Sequence, residues 1–282
     1  MKKINLNYNE DLNVDEIINE IKTSKVGKQI IKELLISDEE IKNNYELLSN
    51  YIKYNTDCSN CSSMGNCTHS TKGHIYGIKR DMYGDLTDYF AICDLYKSYY
   101  KRKENLLLTT FDIEELLDES QKNFVLDNPQ LLDFDFIKKI IRLQKNEKVD
   151  GAFLKINNAK IRLKLIKSLA YGLLLNHKVT IVKFSDFLKI IKSEFKVKDG
   201  PTAFKTAMES DVLIIDGIGN EAISTWSRDD ILLSLLDNRQ QMDKTTILTS
   251  EYEIEDLKKL YKLGYNDDIK VNQLIEKIKD IK

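Results

Sequence analysis

The sequence lacks a marked excess of either charge. Its 282 residues carry 43 lysines and arginines against 45 aspartates and glutamates, a formal net charge of −2. Such a balance provides no broad positive field that could attract nucleic acid over a distance. Any contact with DNA would therefore be local, or shared with a partner protein.

Long hydrophobic runs and low-complexity tracts are also missing. Nowhere do as many as eighteen uncharged apolar residues follow one another, and the start, Met1 to Asn5, leads directly into charged sequence. Neither a membrane-spanning helix nor a secretion signal is expected. We expect a soluble, cytoplasmic protein without a membrane partner. A chain of 282 residues, 42% of them hydrophobic, should form two domains with their own cores.

Cysteines are few, and all four lie between residues 58 and 93. In the reducing cytosol such a cluster favours metal over disulfides. A C-x-x-C pair supplies two zinc ligands from one turn, and a second segment supplies the others. The candidate ligands are Cys58, Cys61 and Cys93, with Cys67 or His74 as the fourth ligand, while His69 is less favoured because it crowds Cys67. A site with four protein ligands is structural, because it leaves no position for water.

Helical periodicity dominates the beginning of the chain. From Asp11 to Tyr54, apolar residues recur at helical spacing, which predicts two or three helices. Residues 55–80 are rich in Cys, Gly, Ser, Asn and His, which predicts loops. Residues 1–115 are thus a predicted helical and metal-binding domain. The charged and weakly periodic segment 100–128 is the predicted linker.

After Pro129, helices alternate with short apolar strands. The predicted strands are Ala152–Lys155, Val179–Phe184, Val212–Ile215 and Thr246–Thr249. The predicted helices are 131–145, 162–175, Ser185–Phe195, one before Val212, 228–242 and a terminal segment. Buried strands separated by helices indicate a parallel sheet that is covered on both faces. Residues 129–282 are therefore a predicted α/β domain.

The strand Val212–Ile215 is followed by Asp216, an arrangement typical of a strand that delivers a carboxylate to a Mg²⁺ site. The residues that follow are Asp216-Gly217-Ile218-Gly219, Glu221-Ala222 and Ser224 to Leu232 with its Trp226-Ser227-Arg228-Asp229, and then Arg239. This stretch resembles the D-D-I-G-A-E-x-x-x-x-W-x-R-D pattern of the DnaC/DnaI family of bacterial replicative-helicase loaders, relatives of the AAA+ ATPases. The order of the cysteines and histidines is similar to that of the family's zinc module.

The resemblance covers most of the chain and implies its architecture. It implies a C-terminal AAA+-type, P-loop-NTPase-like parallel sheet with helices on both faces, preceded by a small helical zinc-binding domain. It also implies zinc as a cofactor. The implied partner is a hexameric replicative helicase, bound through the N-terminal domain.

The chain departs from the family at the phosphate loop, G-x-x-x-x-G-K-[ST]. The expected position holds Ile156 to Leu163, where Ile156, Ala159 and Ile161 replace glycines, Arg162 replaces the lysine and Leu163 replaces the hydroxyl. Such a loop needs glycines to curl its backbone N–H groups around phosphates and a hydroxyl to bind Mg²⁺. Isoleucine resists positive φ angles, and leucine cannot bind a metal.

Three further departures concern charge. Gly217 replaces the second acid of the family's D-D pair, Glu251 stands at the usual asparagine position, and no arginine follows Arg239. A carboxylate at position 251 would repel a γ-phosphate. These changes predict that ATP and Mg²⁺ binding and hydrolysis are lost. The chain would then be a pseudo-ATPase and not an enzyme, with Asp216 as the remnant acid.

The function predicted from these features is that of a helicase loader, or loader-like primosome component, that acts in the initiation of DNA replication by binding the helicase. Single-stranded DNA is a further candidate partner. Two alternatives stay open. Arg162 and Lys160 could rebuild a phosphate site in a weak ATP-binding AAA+ ATPase. The chain could also be a zinc-dependent DNA-binding regulator in which Tyr76, Tyr83, Tyr89 and Phe90 stack on single-stranded bases.

Overall fold

A computed structural model of the chain describes residues 14–59, 61, 63–118, 120, 122–195, 202–265 and 267–281. The chain divides into two compact units, Met1–Lys97 and Ser98–Lys282. Within the described ranges, no helix is long and apolar enough to cross a membrane.

Four helices form most of the first unit: α1 (Val14–Thr23), α2 (Lys25–Leu34), α3 (Asp38–Asn43) and α4 (Tyr45–Ser59). Serines fix two of their starts. The Ser24 hydroxyl accepts a hydrogen bond from the backbone N–H of Gly27, and Ser37 forms a reciprocal capping box with Glu40. The predicted apolar faces of these helices form a core that includes Ile21, Ile41 and Leu48.

A β-hairpin completes the first unit. Strands β1 (His74–Arg80) and β2 (Leu86–Ile92) pair antiparallel, and Ile78 and Leu86 join the helical core. The prediction of loops over residues 55–80 is therefore wrong for 74–80, and also for 55–59, which belong to α4. The buried residues of β1, Tyr76 to Ile78, are consecutive, so the strand lacks the period-two alternation that would identify it. Helix α5 (Asp94–Asn105) follows and continues into the second unit.

The second unit contains a five-stranded parallel sheet in the order β3-β5-β6-β7-β4. Its strands are β3 (Leu106–Thr109), β4 (Gly151–Lys155), β5 (Val179–Lys183), β6 (Val212–Asp216) and β7 (Thr245–Ser250). The four predicted strands are confirmed with small shifts at their ends. Strand β3, which the sequence interpretation included in the linker, pairs with β5 instead. The observed division after Lys97 thus differs from the predicted linker, 100–128.

Helices cover both faces of this sheet. They are α6 (Ile113–Leu116), α7 (Phe124–Asp127), α8 (Phe134–Gln144), α9 (Ala159–Leu173), α10 (Phe184–Glu194), α11 (Thr202–Glu209), a π-helix (Trp226–Leu233) that continues into α12 (Ser234–Gln241), α13 (Ile254–Tyr261) and α14 (Asp268–Asp280). Successive residues of β6 alternate between two cores, since Leu213 packs in one and Ile214 in the other. The predicted α/β sheet with helices on both faces is confirmed.

Candidate nucleotide and metal sites

The carboxyl ends of β6, β7 and β4 lie side by side at one edge of the sheet. Asp216 ends β6, Ser250 ends β7 and Lys155 ends β4, with Lys155 opposite Ser250 in the register. Open parallel sheets bind ligands at this edge. In the sequence interpretation, the family pattern placed the phosphate loop and the remnant acid at this same edge.

The connection from β4 to α9 is short. Only residues 156–158 separate the strand from the helix, which begins at Ala159 and not near Arg162 as predicted. None of residues 156–163 has a positive φ angle. The Asn158 side chain accepts hydrogen bonds from the backbone N–H groups of Lys160 and Ile161, at 2.9 and 3.2 Å. The first amides of α9 are therefore capped by the chain's own side chain.

Arg162 lies in the first turn of α9 and points into the sheet edge. Its side chain is 8% exposed. The guanidinium Nε donates to Oδ1 of Asp216 at 2.5 Å, and Nη1 donates to Oε1 of Glu251 at 3.0 Å. Nη1 also donates to the carbonyl oxygen of Ile156 at 3.2 Å, and the Thr249 hydroxyl donates to Oδ1 of Asp216 at 2.7 Å.

This network joins three positions that sequence reasoning treated separately. In the sequence interpretation, Arg162 and Glu251 stand at the family's lysine and asparagine positions, and Asp216 is the remnant acid. The sequence interpretation assigned Glu251 only a repulsion of phosphate, whereas the structure pairs it with Arg162. The acid introduced at position 251, opposite in charge to the arginine that replaces the lysine, was the available signal for this contact.

A cavity of about 380 Å³ lies beside the network. Leu163 lines it at the position where the family has its metal-binding hydroxyl, and Ala159, Lys160, Lys183 and Phe111 line it as well. Lys160 and Lys183 are exposed, and the Lys183 ammonium lies 5.2 Å from the centre of the Phe111 ring. Two ammonium groups at the opening could attract an anion.

The family-like stretch after Asp216 folds around internal contacts. Gly219 has φ of +89°, and a Cβ there would lie 2.7 Å from Cδ2 of Leu257. Its N–H donates to Oε2 of Glu221 at 2.8 Å, and the Tyr261 hydroxyl donates to Oε1 at 2.9 Å. Burial raises the pKa of Glu221, against the opposing effect of these hydrogen bonds. The glycine and the glutamate are thus both explained by packing.

The π-helix positions Arg228, which is 1% exposed. Its Nε and Nη2 bind the two carboxylate oxygens of Asp229 at 2.7 and 2.8 Å. Its Nη1 donates to Oδ2 of Asp267 at 2.9 Å and to the carbonyl oxygen of Tyr261 at 2.8 Å. Trp226 packs partly buried against the core of the same face. Arg228 therefore links the π-helix to the end of α13 and to the residue before α14.

The predicted zinc ligands line one cavity of about 200 Å³ in the first unit. Its lining includes all six candidate side chains, Cys58, Cys61, Cys67, His69, His74 and Cys93. Sγ of Cys58 lies 3.0 Å from Nε2 of His69, the least favoured candidate, whose ring stacks on Tyr54 at 3.7 Å. Nδ1 of His74 donates to the carbonyl oxygen of Lys72 at 3.2 Å. Burial, followed by the neighbouring Cys61, Cys67 and Cys93, raises the pKa of Cys58.

These donors fit zinc by type but not by spacing. In the described part of the chain, no group of three or more His, Cys, Asp or Glu side chains is arranged to hold a metal ion. Tetrahedral zinc with Zn–S of about 2.3 Å and Zn–N of about 2.0–2.1 Å separates sulfur from nitrogen by about 3.6 Å. The Cys58–His69 contact, at 3.0 Å, is a direct contact of the two side chains. The zinc site therefore stays a prediction.

The chain is similar in sequence to one known replication protein. The chain is 22% identical over 256 residues to the replicative helicase loader DnaI of Bacillus subtilis (strain 168), across 87% of this chain and 81% of that protein. This similarity confirms the resemblance to the DnaC/DnaI family. No protein-family model matches the chain.

Two solved structures are similar to this chain. A crystal structure from Streptococcus pyogenes serotype M3, described as a primosome component, matches with a TM-score of 0.50 and 17% identity, over 64% of this chain and 91% of that one. At this identity, the likeness concerns the fold alone. A crystal structure of DnaI aligns over 64% of this chain and 93% of its own, with a TM-score of 0.49 and 18% identity.

Proposed function

We propose that this protein is a replicative-helicase loader, or a loader-like primosome component, that acts by binding the helicase. The similarity to DnaI carries this proposal, because it extends over 87% of the chain and so includes both units. In this proposal the first unit contacts a hexameric helicase, and the second unit serves as a scaffold without turning over ATP.

Co-purification with the replicative helicase of the same cell tests this function. We expect the full chain to form a stable complex in which hydrogen exchange slows in residues 14–97. Failure of the two proteins to associate would refute the proposal, and protection confined to residues 98–281 would refute the assignment of the contact to the first unit. Salt-sensitive binding of single-stranded DNA without helicase association would instead favour the DNA-binding alternative.

We also propose that the second unit does not use ATP and Mg²⁺. The geometry at the sheet edge supports this, because the Arg162 guanidinium binds the carboxylates of Asp216 and Glu251 where a metal and phosphates would have to lie. The Asn158 side chain also occupies the first amides of α9. These residues do not fit a magnesium–nucleotide complex. Titration calorimetry of the purified chain with ATP and Mg²⁺ should detect no binding.

Weak nucleotide binding is a second candidate, favoured by the two exposed ammonium groups at the cavity of about 380 Å³. If calorimetry detects binding, Lys160→Ala and Lys183→Ala should each weaken it. Lys148→Ala is the matched control. Lys148 pairs with Asp243 and precedes the start of β4, whereas the cavity lies at the carboxyl end of the sheet. Binding that survives both cavity variants would exclude this site as its source.

A structural zinc ion in the first unit is the remaining part of the proposal. The sulfur and imidazole donors that line one cavity support it, and a bound ion would tie the end of α4 to the segment after β2. We expect about one zinc per chain by elemental analysis, and less in Cys58→Ser than in the control Ser63→Ala. A purified chain without stoichiometric zinc would overturn this assignment. Comparing His69→Ala with His74→Ala would identify the histidine ligand.

A further inference from the structure

We infer that the guanidinium of Arg162 takes the place of a divalent cation at this sheet edge, as a covalently attached counter-ion for Asp216 and Glu251. The inference goes beyond helicase binding, rests on the proposal that the second unit does not use ATP and Mg²⁺, and concerns the second unit alone. Association with a helicase could fail without affecting it.

The groups around Arg162 form the first argument. Its guanidinium contacts three oxygen atoms, one each from the Asp216 carboxylate, the Glu251 carboxylate and the Ile156 carbonyl. The Thr249 hydroxyl lies 2.7 Å from the same Asp216 oxygen. Carboxylate, carbonyl and hydroxyl oxygens are the ligands that Mg²⁺, Mn²⁺ and Ca²⁺ prefer. The set of oxygens therefore suits a hard cation, and a protein cation occupies its centre.

Burial supplies the second argument. The side chains of Arg162 and Asp216 are 8% and 11% exposed, and that of Glu251 is 37% exposed. A buried carboxylate is unfavourable unless a cation and hydrogen bonds compensate it. Arginine remains protonated under all physiological conditions, so this compensation is permanent and needs no ligand from solution. This edge of the sheet would therefore keep the same conformation whether or not metal and nucleotide are present.

The inference predicts that removing the guanidinium creates a cation site. In Arg162→Ala, the oxygens of Asp216, Glu251, Ile156 and Thr249 would surround a space without a positive charge. We expect the thermal midpoint of this variant to rise by about 5–10 °C at a Mg²⁺ or Mn²⁺ concentration roughly a hundred times the dissociation constant. The midpoint of the wild-type second unit should not move.

Trp226 allows this unit to be observed separately. It is the single tryptophan of the chain, and it packs partly buried against the core of the second unit. Its fluorescence during thermal unfolding therefore reports on the second unit and not on the first. The titration uses MgCl₂, MnCl₂ and CaCl₂ with the full chain and no nucleotide.

Two controls make the result specific. Arg142→Ala removes an arginine whose ion pair with Glu147 is about half exposed, so any general effect of losing an arginine appears there. In the double variant Arg162→Ala/Asp216→Asn the divalent-cation response should be lost, because the carboxylate that ends β6 is gone. If Arg162→Ala does not fold, Arg162→Met keeps more of the volume without the charge, and the same titration applies.

Each possible result either supports or overturns the inference. Stabilisation by divalent cations in Arg162→Ala or Arg162→Met, absent from the wild type and from the double variant, supports the inference. A folded variant that does not respond to any of the three cations overturns it. So does a wild-type chain that is stabilised as strongly as the variant, or variants that remain unfolded with and without the cations.

Discussion

Replacing Arg228 with methionine tests whether the Trp-x-Arg-Asp part of the family-like stretch is retained for folding. Methionine fills part of the same volume but removes every hydrogen bond of the guanidinium. The change leaves Asp229, Asp267 and the carbonyl oxygen of Tyr261 without their arginine donor. These partners lie on the π-helix, at the end of α13 and at the residue before α14.

The expected loss follows from the burial of the pair. Removing one partner of a buried ion pair costs about 3–5 kcal/mol, because the other charge remains buried. Here the side chains of Asp229 and Asp267 are 22% and 24% exposed, so water can solvate part of their charge. We therefore expect a loss of about 2–4 kcal/mol in the free energy of unfolding. For a domain of this size, that corresponds to a fall of roughly 5–15 °C in Tm.

The measurement is urea and thermal unfolding, followed by Trp226 fluorescence and far-ultraviolet circular dichroism. Arg142→Met is the matched control, and it should cost at most about 1 kcal/mol, since the Arg142–Glu147 pair is exposed. Adding Asp267→Asn to Arg228→Met should recover part of the loss, because it removes one unpaired carboxylate. A free energy of unfolding of Arg228→Met within about 1 kcal/mol of the wild-type value would refute a role of Arg228 in folding. Contact with a partner would then be the better explanation for this arginine.

Two further predictions concern single contacts. Asn158→Ala should lower the free energy of unfolding of the second unit by about 1 kcal/mol, whereas Asn158→Gly should lower it by a few tenths; equal losses would contradict a capping role. In the first unit, Arg80, and then Ser37, lower the pKa of Glu40 from 4.5 to about 2. The folded pKa is depressed, so this contribution is complete above about 4.5 and is lost as the pH falls towards 2. Glu40→Gln should therefore flatten the fall in stability across this range, and acid-unfolding curves parallel to wild type would contradict the assignment.

The sequence predicted the second unit well because its strands are short, continuous apolar runs. Val212 to Ile215 is buried on both faces of the sheet, and such a strand stands out between polar helices. Strand β3 was missed although Leu106 to Leu108 is an apolar run, because the run is only three residues long and follows the charged residues 101–104. Its place in the sheet comes from pairing with β5, a contact between segments more than 70 residues apart.

The sequence predicted which residues form the candidate sites, but not which of their side chains contact each other. The four cysteines and two histidines do line a single cavity, yet their spacing indicated no particular partner for His69. At the sheet edge, the family pattern marked Arg162, Asp216 and Glu251 one at a time. Their ion pairs join residues 54 and 89 positions apart, and only the opposite charges at positions 162 and 251 indicated one of these contacts in the sequence.

The positions that match the family and those that depart from it differ in what they contact. Gly219, Glu221 and Arg228 match the family stretch, and each is bound or packed within the second unit. Arg162 and Glu251 depart from it, and they meet at the end of the strand that carries Asp216. The second unit therefore keeps the internal contacts of the family-like stretch, while its own arginine neutralises the acid that ends β6. A match to the stretch after Asp216 is therefore evidence for the fold of this unit, whereas evidence for catalysis would have to come from the residues that now form the ion pairs.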